Sequence, residues 1–288
     1  MPIPNLTIIG ESINDSVPST HQFFEAHDMV GLKQLAVAQD TAGAGYIDVN
    51  VGPRPADFLA EMVRHVQSVT SKPLSIDTPD PAMAEAGLMA YDRDRAGGRM
   101  PILNSISQLR MEMFQLTRIM PFMPILLASE RVENGLCKPN HSAEHVHQTA
   151  RQLVEEAASY GIPVDQCIID PAISPIGADS EGRFHCLMGA IRLIHADPYL
   201  MGVHMSVGLS NFSVMLPPKR ADGSPTKGPL ESAFLTLAVP LGMDHVIGSV
   251  KRQYNLLQPD HPAMRCINDC LQLDGFDVIM RVQEYYAD

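Results

Sequence analysis

The chain is 288 residues long, 45% hydrophobic and 19% charged, with 20 Gly, 23 Pro, 17 Met and no Trp. This composition excludes a disordered chain, a collagen-like repeat and a disulfide-stapled miniature fold, and the length fits one large domain or two ordinary ones. A net charge of −12 disfavours nonspecific binding to nucleic acid or to an anionic membrane surface, but leaves room for a small anionic ligand on a local basic patch.

The five cysteines include no CxxC pair, and their odd count and wide spacing point to free thiols in a reducing compartment. The opening residues, MPIPNLTIIGESIN, have no basic segment and only a short apolar run, unlike a secretory signal. No apolar stretch approaches the ~18–20 residues that span a bilayer. A cytoplasmic protein is expected.

Short apolar runs recur along the chain, each followed by a segment of helical period. Residues 6–10 open the series. Over 31–42, Leu32, Leu35, Ala36, Gln39 and Ala42 follow helical spacing, and Gly43 stops the helix. Runs at 46–51, 74–77 and 102–104 precede helices over 56–70, 81–91 and 108–120. Run 125–128 leads through an excursion, 129–140, to a helix over 142–160; run 167–170 leads to one over 180–196. After run 203–207 comes a second excursion, 216–229, rich in Pro, Gly, Lys and Arg, which reads as a mobile loop near the active face. A helix over 230–241, a last run at 245–248 and one or two closing helices over 262–286 complete the chain.

Most of the runs are too short for helices and several are β-branched, as strands buried on both faces should be. Eight strands alternating with helices predict an α/β fold, a (β/α)8 TIM barrel that uses residues 1–288 as a single domain. A doubly wound open sheet has a similar rhythm, but no GxGxxG fingerprint opens the first crossover.

In such a barrel, polar residues at the C-terminal ends of strands face the catalytic mouth. Those ends carry Glu11, Ser12 and Asn14, then Asp48 and Asn50, Asp77, Asn104 and Ser105, Asp170, and finally Ser210 and Asn211. Any one of them could be a helix cap or a turn residue. As a set, they form a ring of carboxylates and carboxamides with almost no Lys, Arg or His. Such a ring suits a flat heterocycle with several N–H donors and carbonyl acceptors, because Asp accepts and Asn does both.

The stretches IIGESIN, YIDVNVG, LSIDT, ILNSIS, IIDPAISP and GLSNFS, in this order, resemble the pterin-binding barrel family, and within it the cobalamin-dependent methyltetrahydrofolate methyltransferases. The resemblance implies a pterin-binding TIM barrel that takes folate at its mouth, usually as a homodimer. It implies methyl transfer between N5 of tetrahydrofolate and the cobalt of a corrinoid carried by a partner protein. Tetrahydrofolate or 5-methyltetrahydrofolate is then the substrate, and the chain itself binds no metal. In that family an Asp after strand three, an Asn after strand four and the Asp of the IDP motif hold the pterin, which maps onto Asp77, Asn104 and Asp170. The Asn of the GLSN motif, Asn211, lies near N5 and is the catalytic candidate. Ser210, Asp48, Asn50 and Glu11 complete the expected folate site. In-line methyl transfer asks the protein chiefly for positioning, and Asn211 has no useful pKa, so it should give a hydrogen bond that strengthens in the transition state.

Ser12 stands where the family's first motif often carries Arg. Lys219, Arg220 and Lys227, in the 216–229 loop, could meet the glutamate carboxylates of folate or form a solvated basic loop. Two other functions remain open. One is a dihydropteroate synthase-like enzyme, for which the resemblance implies a late Lys/Ser-x-Arg arrangement; Ser249, Lys251 and Arg252 occur here in another order. The other is a non-catalytic folate-binding module. His141, His145 and His147 read as a surface helix, and Cys266 and Cys270, four apart on one helical face, as core or dimer residues. With no DxHxxG-type corrinoid-binding motif, the chain is expected to be one component of a multi-protein methyl-transfer system.

Overall fold

Parallel strands alternating with helices close into a barrel in the computed structural model, which describes Met1 and residues 3–287. Numbered along the chain, the strands are β1 (Thr7–Asn14), β2 (Tyr46–Asn50), β3 (Leu74–Asp77), β4 (Ile102–Ile106), β5 (Met123–Leu127), β6 (Glu130–Glu133), β7 (Leu136–Pro139), β8 (Ile168–Asp170), β9 (His204–Met205) and β10 (His245–Gly248). Eight of them form one sheet in the order β10-β1-β2-β3-β4-β5-β8-β9, while β6 and β7 pair as a separate antiparallel hairpin. Bridges from Met205 to Met243 and from Gly208 to Ile247 join the two ends of the sheet. The (β/α)8 TIM barrel expected from the sequence is the fold observed.

The helices are α1 (Pro18–Glu25), α2 (Met29–Thr41), α3 (Ala56–Gln67), α4 (Pro81–Ala90), α5 (Ala143–Ser159), α6 (Arg183–Ala196), α7 (Leu209–Phe212), α8 (Lys227–Ala238), α9 (Pro262–Cys270) and α10 (Phe276–Ala287). Their starts follow local chemistry. Asp80 accepts from the amides of Ala82 and Met83 ahead of Pro81, and Ser142 accepts from the amide of His145. No helix among the described residues is long and apolar enough to cross a membrane.

The period-2 alternation of the strands divides the core in two. Ile47, Val49, Leu74, Ile76, Leu103, Leu126, Ile169 and Val246 join the large cluster that includes the helices. Ile9, Ile102, Ile125 and Ile168 form a second, separate cluster with Tyr46, Met123 and Ile247. The second cluster is the packed floor of the barrel interior.

Local departures have local causes. The segment expected as a helix over 108–120 is a 3₁₀ helix, Met111–Arg118, whose buried Met113 and Leu116 lie three apart and suit three residues per turn. Helix α1, unforeseen, buries only Thr20 and Phe24, too little for a periodic signal. The 129–140 excursion is the β6–β7 hairpin, and α8 begins at Lys227, inside the predicted 216–229 loop.

At the foot of the barrel Asp244 knits the closing seam. Its Oδ2 lies 2.6 Å from His204 Nδ1 and its Oδ1 lies 2.8 Å from His245 Nδ1, while its carbonyl accepts from the amide of Thr7 at 2.8 Å. The hydrogen bond to Asp244 raises the pKa of His204 above its usual 6.5, against burial. Burial works to raise Asp244, but its bonds to His204 and then His245 hold its carboxyl well below the usual range. The His204 contribution to stability is therefore full below pH 6.5 and is lost as pH rises through the raised value, whereas that of Asp244 is lost only in strong acid. Partial exposure of both groups keeps the effect modest. In thermal melts, Asp244→Asn should lower Tm most near pH 5–6 and progressively less above pH ~8. An equal loss at both ends of that range would contradict the charged seam.

Candidate active site

Four floor residues are followed two positions later by a residue that lines the mouth, Ile9 by Glu11, Ile102 by Asn104, Ile125 by Leu127 and Ile168 by Asp170, while Tyr46 is followed by the buried Asp48. The strand period thus converts an apolar floor into a polar rim. Above it opens a cavity of about 650 Å³ whose wall includes Glu11, Asn14, Asp77, Asn104, Ser105, Leu127, Asp170, Ser210 and Asn211. Six of the residues expected to bind folate, Glu11, Asp77, Asn104, Asp170, Ser210 and Asn211, therefore meet at one cavity. No Lys or Arg is among its lining residues.

Asp48 and Asn50 stand behind that wall. Asn50 Nδ2 donates to Asp77 Oδ2 at 2.9 Å, and its Oδ1 accepts from the amide of Gly52 at 2.9 Å, so it orients Asp77. Asp48 is fully buried, and among the described residues neither carboxyl oxygen has a hydrogen-bond partner. Burial first, then the charge of Asp77, pushes its pKa well above the ordinary range and favours the protonated acid.

The wall carboxyls are shifted the same way. Burial raises Asp77, with the Asn50 hydrogen bond opposing. Burial pushes Asp170 up to about 6, against the Ala172 amide that donates to its Oδ1 at 2.8 Å. Burial raises Glu11, opposed by the Ser210 hydroxyl, which donates to its Oε2 at 2.9 Å. Several desolvated carboxyls around one cavity make it an attractive site for N–H donors.

The loops at the rim are fixed by specific contacts. Arg54 donates to Asp15 Oδ1 at 2.6 Å and to the Val51 carbonyl at 2.7 Å, with its guanidinium 4.8 Å from the centroid of the Phe24 ring. Gly52, at φ +64°, leaves room for Asp15, whose Oδ2 would lie 2.3 Å from any Cβ there. At Gly208 a Cβ would come within 2.8 Å of Asn211 Nδ2, so glycine clears the space for that carboxamide.

The expected folate-tail residues lie elsewhere. Arg220 Nε donates to the Tyr285 carbonyl at 2.8 Å and its guanidinium stands 4.8 Å from the centroid of the Tyr285 ring, which engages it with α10. Lys219 pairs through its backbone with Pro225. Neither lines the mouth cavity, whereas Lys227 Nζ reaches the carbonyl of Val214, a wall residue, at 3.1 Å. Wall residues that sequence reasoning missed include Val17, Pro18, Ala172, Ile173 and Val214. Ala172 adopts φ +67°, a left-handed conformation that nothing in the sequence signals.

Residues 13–248 match the model of the family described as pterin binding enzyme. The chain belongs to that family. This pterin binding enzyme is 28% identical over 251 residues to the methylcorrinoid:tetrahydrofolate methyltransferase of Eubacterium limosum, covering 84% of each chain. It is similar in fold to dihydropteroate synthase from Yersinia pestis (TM-score 0.54, 13% identity, 93% of this chain and 95% of that one). The Vibrio fischeri dihydropteroate synthase is also similar (TM-score 0.56, 16% identity, 97% and 92%).

Because Asp48 holds its proton more tightly folded than unfolded, its contribution falls as pH rises from about 4 toward the raised folded value. Asp48→Asn, which mimics the neutral acid, should fold, and its Tm relative to the parent protein should rise between pH 5 and pH 8. A Tm difference flat with pH would mean that Asp48 is ionised in the folded protein.

Proposed function

We propose that the enzyme transfers a methyl group between N5 of tetrahydrofolate and the cobalt of a corrinoid protein, as one component of a cytoplasmic methyl-transfer system. The observation that carries this reading is the convergence of Asp77, Asn104 and Asp170 with Asn211 on one cavity wall free of cationic side chains. The name of the E. limosum relative supports the same chemistry. In this reading the working form is a homodimer.

Asp77 and Asp170 accept from the 2-amino group and ring N–H of the pterin, and Asn104 pairs with a neighbouring donor–acceptor edge. Asn50 keeps Asp77 aimed by donating to one of its two oxygens. The corrinoid supplies cobalt as the nucleophile in one direction and the methyl carrier in the other. Charge then changes at N5: its lone pair is freed when methyl leaves and is consumed when methyl arrives. The Asn211 carboxamide, held beside Gly208, offers N5 a hydrogen bond that tightens as that charge develops. Release of a pyrophosphate, the dihydropteroate synthase alternative, calls for a cationic cradle, and the lining residues provide none.

Mixing the protein with tetrahydrofolate and a methylated corrinoid protein should produce the Co(I) spectrum and 5-methyltetrahydrofolate in equal amounts. Tight folate binding with no methyl movement in either direction would leave only a binding module. Asn211→Ala should slow methyl transfer by ~10²-fold while the folate Kd changes less than about threefold. Asp77→Ala or Asp170→Ala should weaken folate by roughly 10–100-fold, read by calorimetry.

A further inference from the structure

Helix α8 carries a carboxylate where an apolar residue would be expected. Glu231 is fully buried among Leu230, Ala233, Phe234 and Leu235, which are also fully buried. An unpaired carboxylate in such a place would be strongly destabilising. Two partners offset that cost at one oxygen: the Ser213 hydroxyl and the Arg252 guanidinium both donate to Glu231 Oε1.

Ser213 is itself fully buried and lies two residues beyond Asn211, immediately after α7. On the other side of Asn211, the Ser210 hydroxyl donates to Glu11 at 2.9 Å. Burial raises both carboxyls; the serine bonds and the nearby charge of Arg252 oppose it in each. Among the described residues Arg252 pairs with Glu231 alone, and each of the two carboxylates, the buried Glu231 and the half-buried Glu11, grips one serine of the segment GLSNFS. Asn211 sits between the two grips.

We propose that Glu231 and Arg252 are positioning residues: an ion pair between a buried carboxylate and a partly exposed guanidinium that, through Ser213 and with Glu11–Ser210, fixes the 208–213 turn so that the Asn211 carboxamide faces the cavity. Neither side chain donates to or accepts from the substrate in this scheme. The kinetic part rests on the methyl-transfer reading; the mechanical part rests on the hydrogen bonds alone.

Ser213→Ala is the sharpest probe, because it removes the strut and leaves the ion pair intact. Amide hydrogen exchange over residues 208–214 should speed up by about tenfold or more, with exchange in β2–β5 and Tm little changed. Methyl transfer should slow by ~10-fold with the folate Kd within about threefold, since a displaced carboxamide affects the transition state more than the pterin contacts. Glu231→Gln should accelerate exchange over the same segment; if that variant does not fold, Ser213→Ala decides alone. Unchanged exchange over 208–214, or a uniform rise throughout the barrel, would overturn the proposal. If the parent protein moves no methyl group, the functional reading falls, and the exchange measurement still decides whether the ion pair holds the turn.

Discussion

Everything at the mouth depends on the two-residue period of a closed parallel barrel. A side chain that enters the floor at Ile9, Ile102 or Ile168 commits the residue two places on to the rim. The floor excludes water from below, and closure of the sheet through Gly208 and Ile247 brings the GLSN segment beside β1. Shifting β3 or β8 by one residue would bring the outward-packed Ile76 or Ile169 to the rim in place of Asp77 or Asp170, so packing against the helices also protects the chemistry.

That arrangement sets acidic groups in a poorly solvated layer. Each is tolerated by a different device: Asp77 by the Asn50 amide, Asp170 by the Ala172 backbone, Glu11 by the Ser210 hydroxyl, and Asp48 by a raised pKa that favours its neutral form. The wall consequently combines carboxyl groups with the carboxamides of Asn104 and Asn211 and carries no Lys or Arg side chain. A ligand that presents N–H groups completes it, whereas a cation-dependent leaving group finds no partner among the lining residues.

Much of this was legible in the sequence because it is local. Strand runs, helix stops and the residue that ends each strand are short-range signals, and they pointed to Asp77, Asn104, Asp170 and Asn211 as neighbours. What escaped depends on distant chain. The course of the 216–229 loop is set in part by Tyr285, which engages Arg220, so its basic residues could not be located from composition. Glu231 reads as an ordinary polar position in a helix until folding brings Ser213 and Arg252 to it. Asp48 and Asn50 read as ligand contacts, and only the geometry separates a residue at the wall from one that supports it.

The Thr7–Asp244 and Glu11–Ser210 contacts join the first strand to the last third of the chain, the second across 199 positions. Contacts this distant are closed late, after a large loss of chain entropy. During synthesis, the first strands can pair as they emerge, but β1 keeps one unpaired edge until β10 has left the ribosome. The mouth therefore comes into being in a single final step, and a chain interrupted before that strand would hold most of the acidic ring without an enclosed site.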